Sequence, residues 1–574
     1  MIAWAEGWFD RAGGVLYTRG AGWIVGLGGS TARGLLAGLW VLSACSAPFR
    51  APDDAGDAAE GPAGPVPVEL PAFARLTTRQ LRNTYVDLLG PVAQPALPAD
   101  TTPYLFESVG AASEPLSESG VQLLEEAATA LAAEVFAEPG RREAFVGCTP
   151  ATAWDACTTG FIRDFGGRAW RRPLSPTEEA RWLAVAAELG ADDPWMGLEA
   201  VTAGMLQSPW FVYRVELGRP VADRPGVRQL TAHELAARLS LFFWNTTPDA
   251  ALRAAADDGS LGTPAGLEAA VDRLLADERA REATEAFFAQ YLDLQRLDRA
   301  APDPATYPAF SPALREAMRA EVLLLVDERV HRLEGDVRGI FSARRAFVND
   351  ALAAHYGLEA PGASPITYVP VDLPPDSPRA GILGLGAFLT MNAHAVDTSP
   401  TLRGKYILER VLCATIPPPP DNVSLDLTTG ADADAPLRER LDQHRNDPAC
   451  AGCHAMMDPP GFLFESFDAT GAWRTHDRGQ PIDSSGELMG VPQADAGALG
   501  DLLSTHDDVG PCMVKQLYRH AHGRLDTAAD ADSLAQLADG FAADGHRFRG
   551  LLRAMALHES FQLVAAPDGA GVAP

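Results

Sequence analysis

Cys450, Cys453 and His454 form a C-x-x-C-H run inside CAGCHAMMDPPGFLFESFDATGAWR, residues 450–474. Two thiols three positions apart lie on one face of a helical turn, where each can add to a vinyl group of haem. The histidine beside the second thiol then supplies a ring nitrogen to the iron. With 7 Cys and 12 His in 574 residues, composition alone yields roughly 0.002 such runs. The run therefore reads as the attachment site of one covalent c-type haem, haem c, with His454 as an iron ligand. The competing readings are a Cys450–Cys453 disulfide and half of a zinc site. Zinc needs further ligands at matching spacing, and the chain contains no second C-x-x-C.

The other face of the iron decides the chemistry. A methionine or histidine closing it makes an electron carrier, whereas an open position admits small molecules. Candidates are His394, Met457, Met489, His520 and His522, or no protein ligand at all. Met457 lies three residues beyond His454, on the turn that already occupies the proximal side. His394 lies outside that turn and is the preferred distal metal ligand; its alternative role is a hydrogen-bonded loop histidine before TSPT. Glu465 and Asp468 share a turn, so capping and surface salt links are favoured over acid–base work. Arg403 and Arg474 are candidates to neutralise a haem propionate.

These residues need a scaffold, and the chain reads as mainly α. Thr77–Gln80, Ser175–Glu178 and Thr231–Glu234 have capping-box spacing ahead of apolar residues at helical intervals. Helical patterns continue through about 265–277, 279–294 and 311–333, then around Leu437–His444, and in the tail from 496 to 562. No run of alternating residues before 340 reads as a strand. A multi-helical N-terminal scaffold is followed by a C-terminal helical haem domain resembling c-type cytochromes. The first half contains no G-x-S-x-G, P-loop, Rossmann or H-E-x-x-H signature.

Composition limits the partners. The balance of 47 Lys+Arg against 76 Asp+Glu, net −29, disfavours nucleic acid, whose phosphates need basic surfaces. Residues 34–44, GLLAGLWVLSA, follow Arg33 and end at Cys45, a pattern resembling a bacterial lipoprotein signal with Cys45 lipidated. The apolar run is too short to span a bilayer. Residues 46–70, rich in Ala, Pro, Asp and Gly, read as a tether. Export to an oxidising compartment makes disulfides available to Cys148, Cys157, Cys413 and Cys512. Cys148 and Cys157 flank a short loop and can close it, which leaves Cys413 with Cys512. Four cysteines allow three pairings, and buried thiols are the other reading.

Several stretches carry a family resemblance, in a fixed order. They are RLTTRQLRNTYVDLLG (75–90), RAWRRPLSPTEEARW (168–182), SPWFVYR (208–214), LTAHELAARLSLFFWNTTPDAAL (230–252) and TSPTLRGKYILERVLC (398–413), followed by the haem run with DPPGFLFESFDATGAWR (458–474). The chain resembles the multi-domain planctomycete cytochrome C and associated-domain proteins over nearly its whole length after residue 73. The resemblance implies an architecture and one c-type haem, and no substrate. The expected layout is a signal at 1–45, a linker at 46–70, and helical domains at 73–140, 155–216 and 227–357. A haem domain at 370–475 and a helical domain at 490–562 complete it. The function expected is one-electron transfer with a partner redox protein, donor or acceptor, by a periplasmic or cell-surface lipoprotein of the outer membrane. The alternatives are a haem-dependent oxidoreductase and a lipoprotein binding module with a structural haem.

Overall fold

Thr77 starts the first helix as its spacing predicts. Its hydroxyl accepts from the Gln80 amide and the Gln80 carboxamide accepts from the Thr77 amide, a reciprocal cap over Thr78–Leu89. Leu81, Tyr85, Leu88 and Leu89 form the buried face of that helix. The same device opens Pro176–Leu189 at Ser175 and Ala232–Trp244 at Thr231. Caps of this kind leave few orphan amides at helix starts, so apolar stripes can dock without burying unpaired polar groups.

This computed structural model describes residues 73–417, 435–445 and 448–566, all within one unit, Ala63–Pro574. The expected signal, Cys45 and the tether lie outside the described residues. The described chain is mainly helical. Among its helices none is long and apolar enough to cross a membrane.

Two large apolar cores organise it. The first gathers Tyr85, Leu131, Phe165, Met205 and Phe211 from helices spanning 78–212. Its entry strand, Phe73–Arg75, pairs antiparallel with Tyr213–Val215, so residues 73–140 and 155–216 share one core. The second extends from Leu105 to Val564 and includes Phe287, Met318, Phe388, Tyr406 and Phe464. Leu563–Ala565 pairs antiparallel with Val227–Gln229, returning the chain's tail to the start of the third helical segment. The described region before residue 340 is mostly helical, with a few short strands. They are two or three residues long, too short for a period of two to register.

Both cysteine pairs close as disulfides, Cys148–Cys157 with Cα atoms 5.9 Å apart and Cys413–Cys512 with 5.4 Å. The second ties the segment after helix Pro400–Tyr406 to helix Val509–His522. It therefore fixes the tail against the region that carries the candidate site.

Candidate functional site

The C-x-x-C-H run lies within one helix, Pro448–Phe462, here called the attachment helix. Cys450 is buried and Cys453 half-buried, and neither belongs to a disulfide. The Cys450–Cys453 bridge considered from sequence is thus not formed. Their spacing of three residues puts both thiols on one side of the helix.

The next turn holds the residue that sequence reading left without a role. The Nδ1 atom of His454 lies 3.0 and 3.1 Å from the two carboxylate oxygens of Asp458, which is completely buried. Thr401 donates its hydroxyl to the same carboxylate at 2.7 Å. An ionised carboxylate only accepts, so the shared proton belongs on Nδ1 and the ring's lone pair on Nε2. A buried carboxylate without partners costs several kcal/mol; here an imidazole and a hydroxyl offset that cost. The H-x-x-x-D spacing is a one-turn helical interval, a signal readable in the sequence.

Thr401 arrives on a second helix, Pro400–Tyr406, that crosses the attachment helix at very close range. A Cβ on Gly404 would stand 1.7 Å from the Met457 carbonyl oxygen, and one on Gly461 would stand 1.8 Å from that of Pro400. Only glycine allows this approach. The contacts also give the direction: residue 400 lies by 461 and residue 404 by 457, so the helices run antiparallel. Phe462, at the end of the attachment helix, packs with Leu437 and Leu441 of the preceding helix, Leu437–Arg445. The Arg438 guanidinium stacks on the Phe462 ring at 4.1 Å.

Arg403 and Arg474, the candidates for a propionate, are both engaged by protein groups. Arg403 is fully buried and donates to the carbonyls of Phe464 and Asp468 at 2.9 and 3.0 Å. Burial pulls its pKa down to about 10. Arg474 donates to the Glu465 carbonyl and carboxylate at 2.9 and 3.0 Å. Glu465 is likewise no surface residue. It is buried, accepts from Thr398 at 2.8 Å and lies 3.5 Å from Arg403. Its pKa is raised by burial, against the pull of Arg403, Arg474 and Thr398. Asp468 caps a turn by accepting from the Thr470 and Ala472 amides. Sequence spacing shows these charges as neighbours; only packing reveals that they are used up internally.

The distal candidates scatter. Met457 is buried in the large core, and Met489 sits exposed at a hairpin tip with φ of 51°. His520 lies among Phe106, Phe242 and Phe287, and burial pulls it down to about 4. His522 stacks on Tyr518 and accepts no charge easily, its pKa pulled to about 3 chiefly by burial. His394 is exposed in the loop before Pro400 and lines a cavity of about 330 Å³ with Arg296, Arg299 and Met391. His454 does not line that cavity. The loop leaves the crossing helix at its residue-400 end, beside Gly461, whereas His454 lies beyond the residue-404 end.

The donor set fits a covalently attached haem: two thiols on one helical face, an adjacent imidazole with Nδ1 held by a buried carboxylate, and a rigid crossing behind them. Four family profiles match the chain, each described as a protein of unknown function. They are DUF1595 over residues 157–216, DUF1592 over 230–358, DUF1588 over 379–477 and DUF1585 over 490–561. No curated protein and no solved structure matches it.

Proposed function

Because this chain belongs to the planctomycete cytochrome C and associated-domain family of multi-domain proteins, we propose that it is an exported monohaem c-type protein exchanging single electrons with a partner redox protein. Cys450 and Cys453 are the attachment thiols and His454 is the axial ligand. A c-type haem supplies the one-electron couple, its potential set by the axial ligands and their hydrogen bonds. One observation carries this reading, the hydrogen bond from His454 Nδ1 to buried Asp458. Metal-bound histidines characteristically donate their second ring nitrogen to such an acceptor, which fixes the tautomer and raises ligand basicity. A cap or a surface histidine does not require a fully buried carboxylate.

The residues divide the work. Asp458 holds the proton at Nδ1, Thr401 orients Asp458, and the Gly404–Gly461 crossing keeps Thr401 in reach. Two disulfides favour maturation in an oxidising compartment, where haem attachment takes place. In this reading Cys45 is the lipidated residue, and the protein is a periplasmic or surface lipoprotein of the outer membrane.

The alternative expected from sequence is a haem-dependent oxidoreductase, in which the iron keeps an open position. Reduced-minus-oxidised spectra of protein matured with c-type haem machinery, with and without carbon monoxide, separate the two. A covalent haem spectrum unmoved by carbon monoxide is expected for the carrier; a shift favours the oxidoreductase. Absence of covalent haem defeats both. The same spectra on His394→Ala test the preferred distal ligand from sequence. With His394 at the far end of the crossing, we expect no newly opened iron.

A further inference from the structure

The cavity that His394 lines has a character unlike the rest of the molecule. The chain carries 76 acidic against 47 basic residues, yet no Asp or Glu lines this cavity, while Arg296, Arg299 and His394 do. Its remaining walls are small or apolar, including Pro302 and Met391, with Thr390 as a further polar group. At about 330 Å³ it falls at the lower end of the size range of small-molecule sites.

Both walls are braced. Arg296 donates Nη1 to the Asn392 carboxamide oxygen at 2.9 Å, and Asn392, fully buried, donates its Nδ2 to the Phe388 carbonyl at 2.9 Å. The guanidinium is thus held by a neutral amide. The opposing loop is clamped to the first wall by the Asp303 amide donating to the Ala395 carbonyl at 2.8 Å, and by the Tyr307 hydroxyl donating to that of Val396 at 2.9 Å. Within the loop the His394 amide donates to the Asp397 carbonyl at 2.9 Å. Among the described residues the Arg299 side chain forms no ion pair and no hydrogen bond. Two other arginines contrast with it: Arg319 is paired with Asp298, and Arg403 donates to carbonyls. The nearest acid in influence is Asp293, which is buried; desolvation raises its pKa against the pull of Arg410, Arg296 and Arg299.

We propose that this cavity is a binding site for a small organic oxyanion, a carboxylate or phosphate on a short hydrocarbon body. The oxyanion pairs with Arg299 and Arg296, whose forked donors suit planar or tetrahedral oxygens, and the carbon portion lies against Met391 and Pro302. The site joins the segments matched by two different family profiles, 230–358 and 379–477. Its occupancy is independent of the attachment thiols.

Titration calorimetry of the full chain at constant ionic strength tests it, with succinate, inorganic phosphate and the neutral analogue succinamide as probes. Saturable binding of succinate or phosphate, with none of succinamide, is expected, and the tighter of the two identifies the headgroup. Arg299→Gln, an exposed position that leaves the melting temperature unchanged, weakens binding about tenfold, the cost of one charge-assisted contact. His394→Gln weakens it less. No saturable binding of either anion overturns the proposal, as does binding unaltered in an Arg296→Gln/Arg299→Gln protein that melts like wild type.

Discussion

His454 and His394 are both candidates for the same iron by composition, and the fold treats them in opposite ways. His454 stands on a helix, with its partner Asp458 one turn away on the same helix and fully buried. His394 stands exposed on a loop whose neighbours are arginines from a segment nearly a hundred residues earlier. One histidine is positioned by local helical geometry and stiffened by a crossing helix; the other takes its surroundings from long-range packing. A histidine next to a conspicuous motif acquires its role from what holds its second nitrogen, a contact invisible to residue counting.

Removing the attachment thiols separates the two regions most sharply. Cys450→Ala/Cys453→Ala is expected to abolish covalent haem, seen as loss of haem stain on a denaturing gel, while succinate or phosphate binding at the His394 cavity persists. Loss of both together would mean that the regions are one site.

Next in size is the crossing. Gly404→Ala places a methyl against the Met457 carbonyl. It should lower stability by about 2–3 kcal/mol, the upper part of the range for overpacking, measured by urea unfolding. The shift also draws Thr401 from Asp458, so haem attachment yield should fall, whereas a comparable loss of stability elsewhere spares it.

The smallest and most local change is Asp458→Asn. It keeps the shape and an oxygen for His454 Nδ1, and removes the negative charge that favours the oxidised metal. A tenfold loss of stabilisation of the oxidised relative to the reduced iron, the scale of losses at such supporting positions, corresponds to a rise in midpoint potential of about 59 mV for one electron. Spectroelectrochemical titration reads it. An unmoved potential in a protein that still binds haem covalently would reduce Asp458 to a structural partner.

Much of the scaffold was legible because its signals are local. Thr77, Ser175 and Thr231 start helices where their capping spacing puts them, since each cap needs only its own first turn. The Cys148–Cys157 loop closes over nine residues, a separation at which proximity along the chain already favours contact. The three-residue strands escaped notice because their pairing partners are remote: Phe73–Arg75 needs Tyr213–Val215, and Leu563–Ala565 needs Val227–Gln229. The burial of Arg403 and Glu465 is hidden from local sequence for the same reason. Nothing in their neighbours announces that the Thr398 hydroxyl and the Phe464 and Asp468 carbonyls will consume them in the interior.

The amino-acid sequence by itself determined the helices, the two thiols beside a histidine, and the one-turn interval from His454 to Asp458, because all are set within a few residues of backbone geometry. Tertiary structure alone decided that Asp458 is buried and met by Thr401, that Arg403 is spent on carbonyls, and that His394 faces two arginines in a cavity. Burial and charge pairing depend on which distant segments exclude water from a group, and that is a property of the packed chain rather than of any stretch of it.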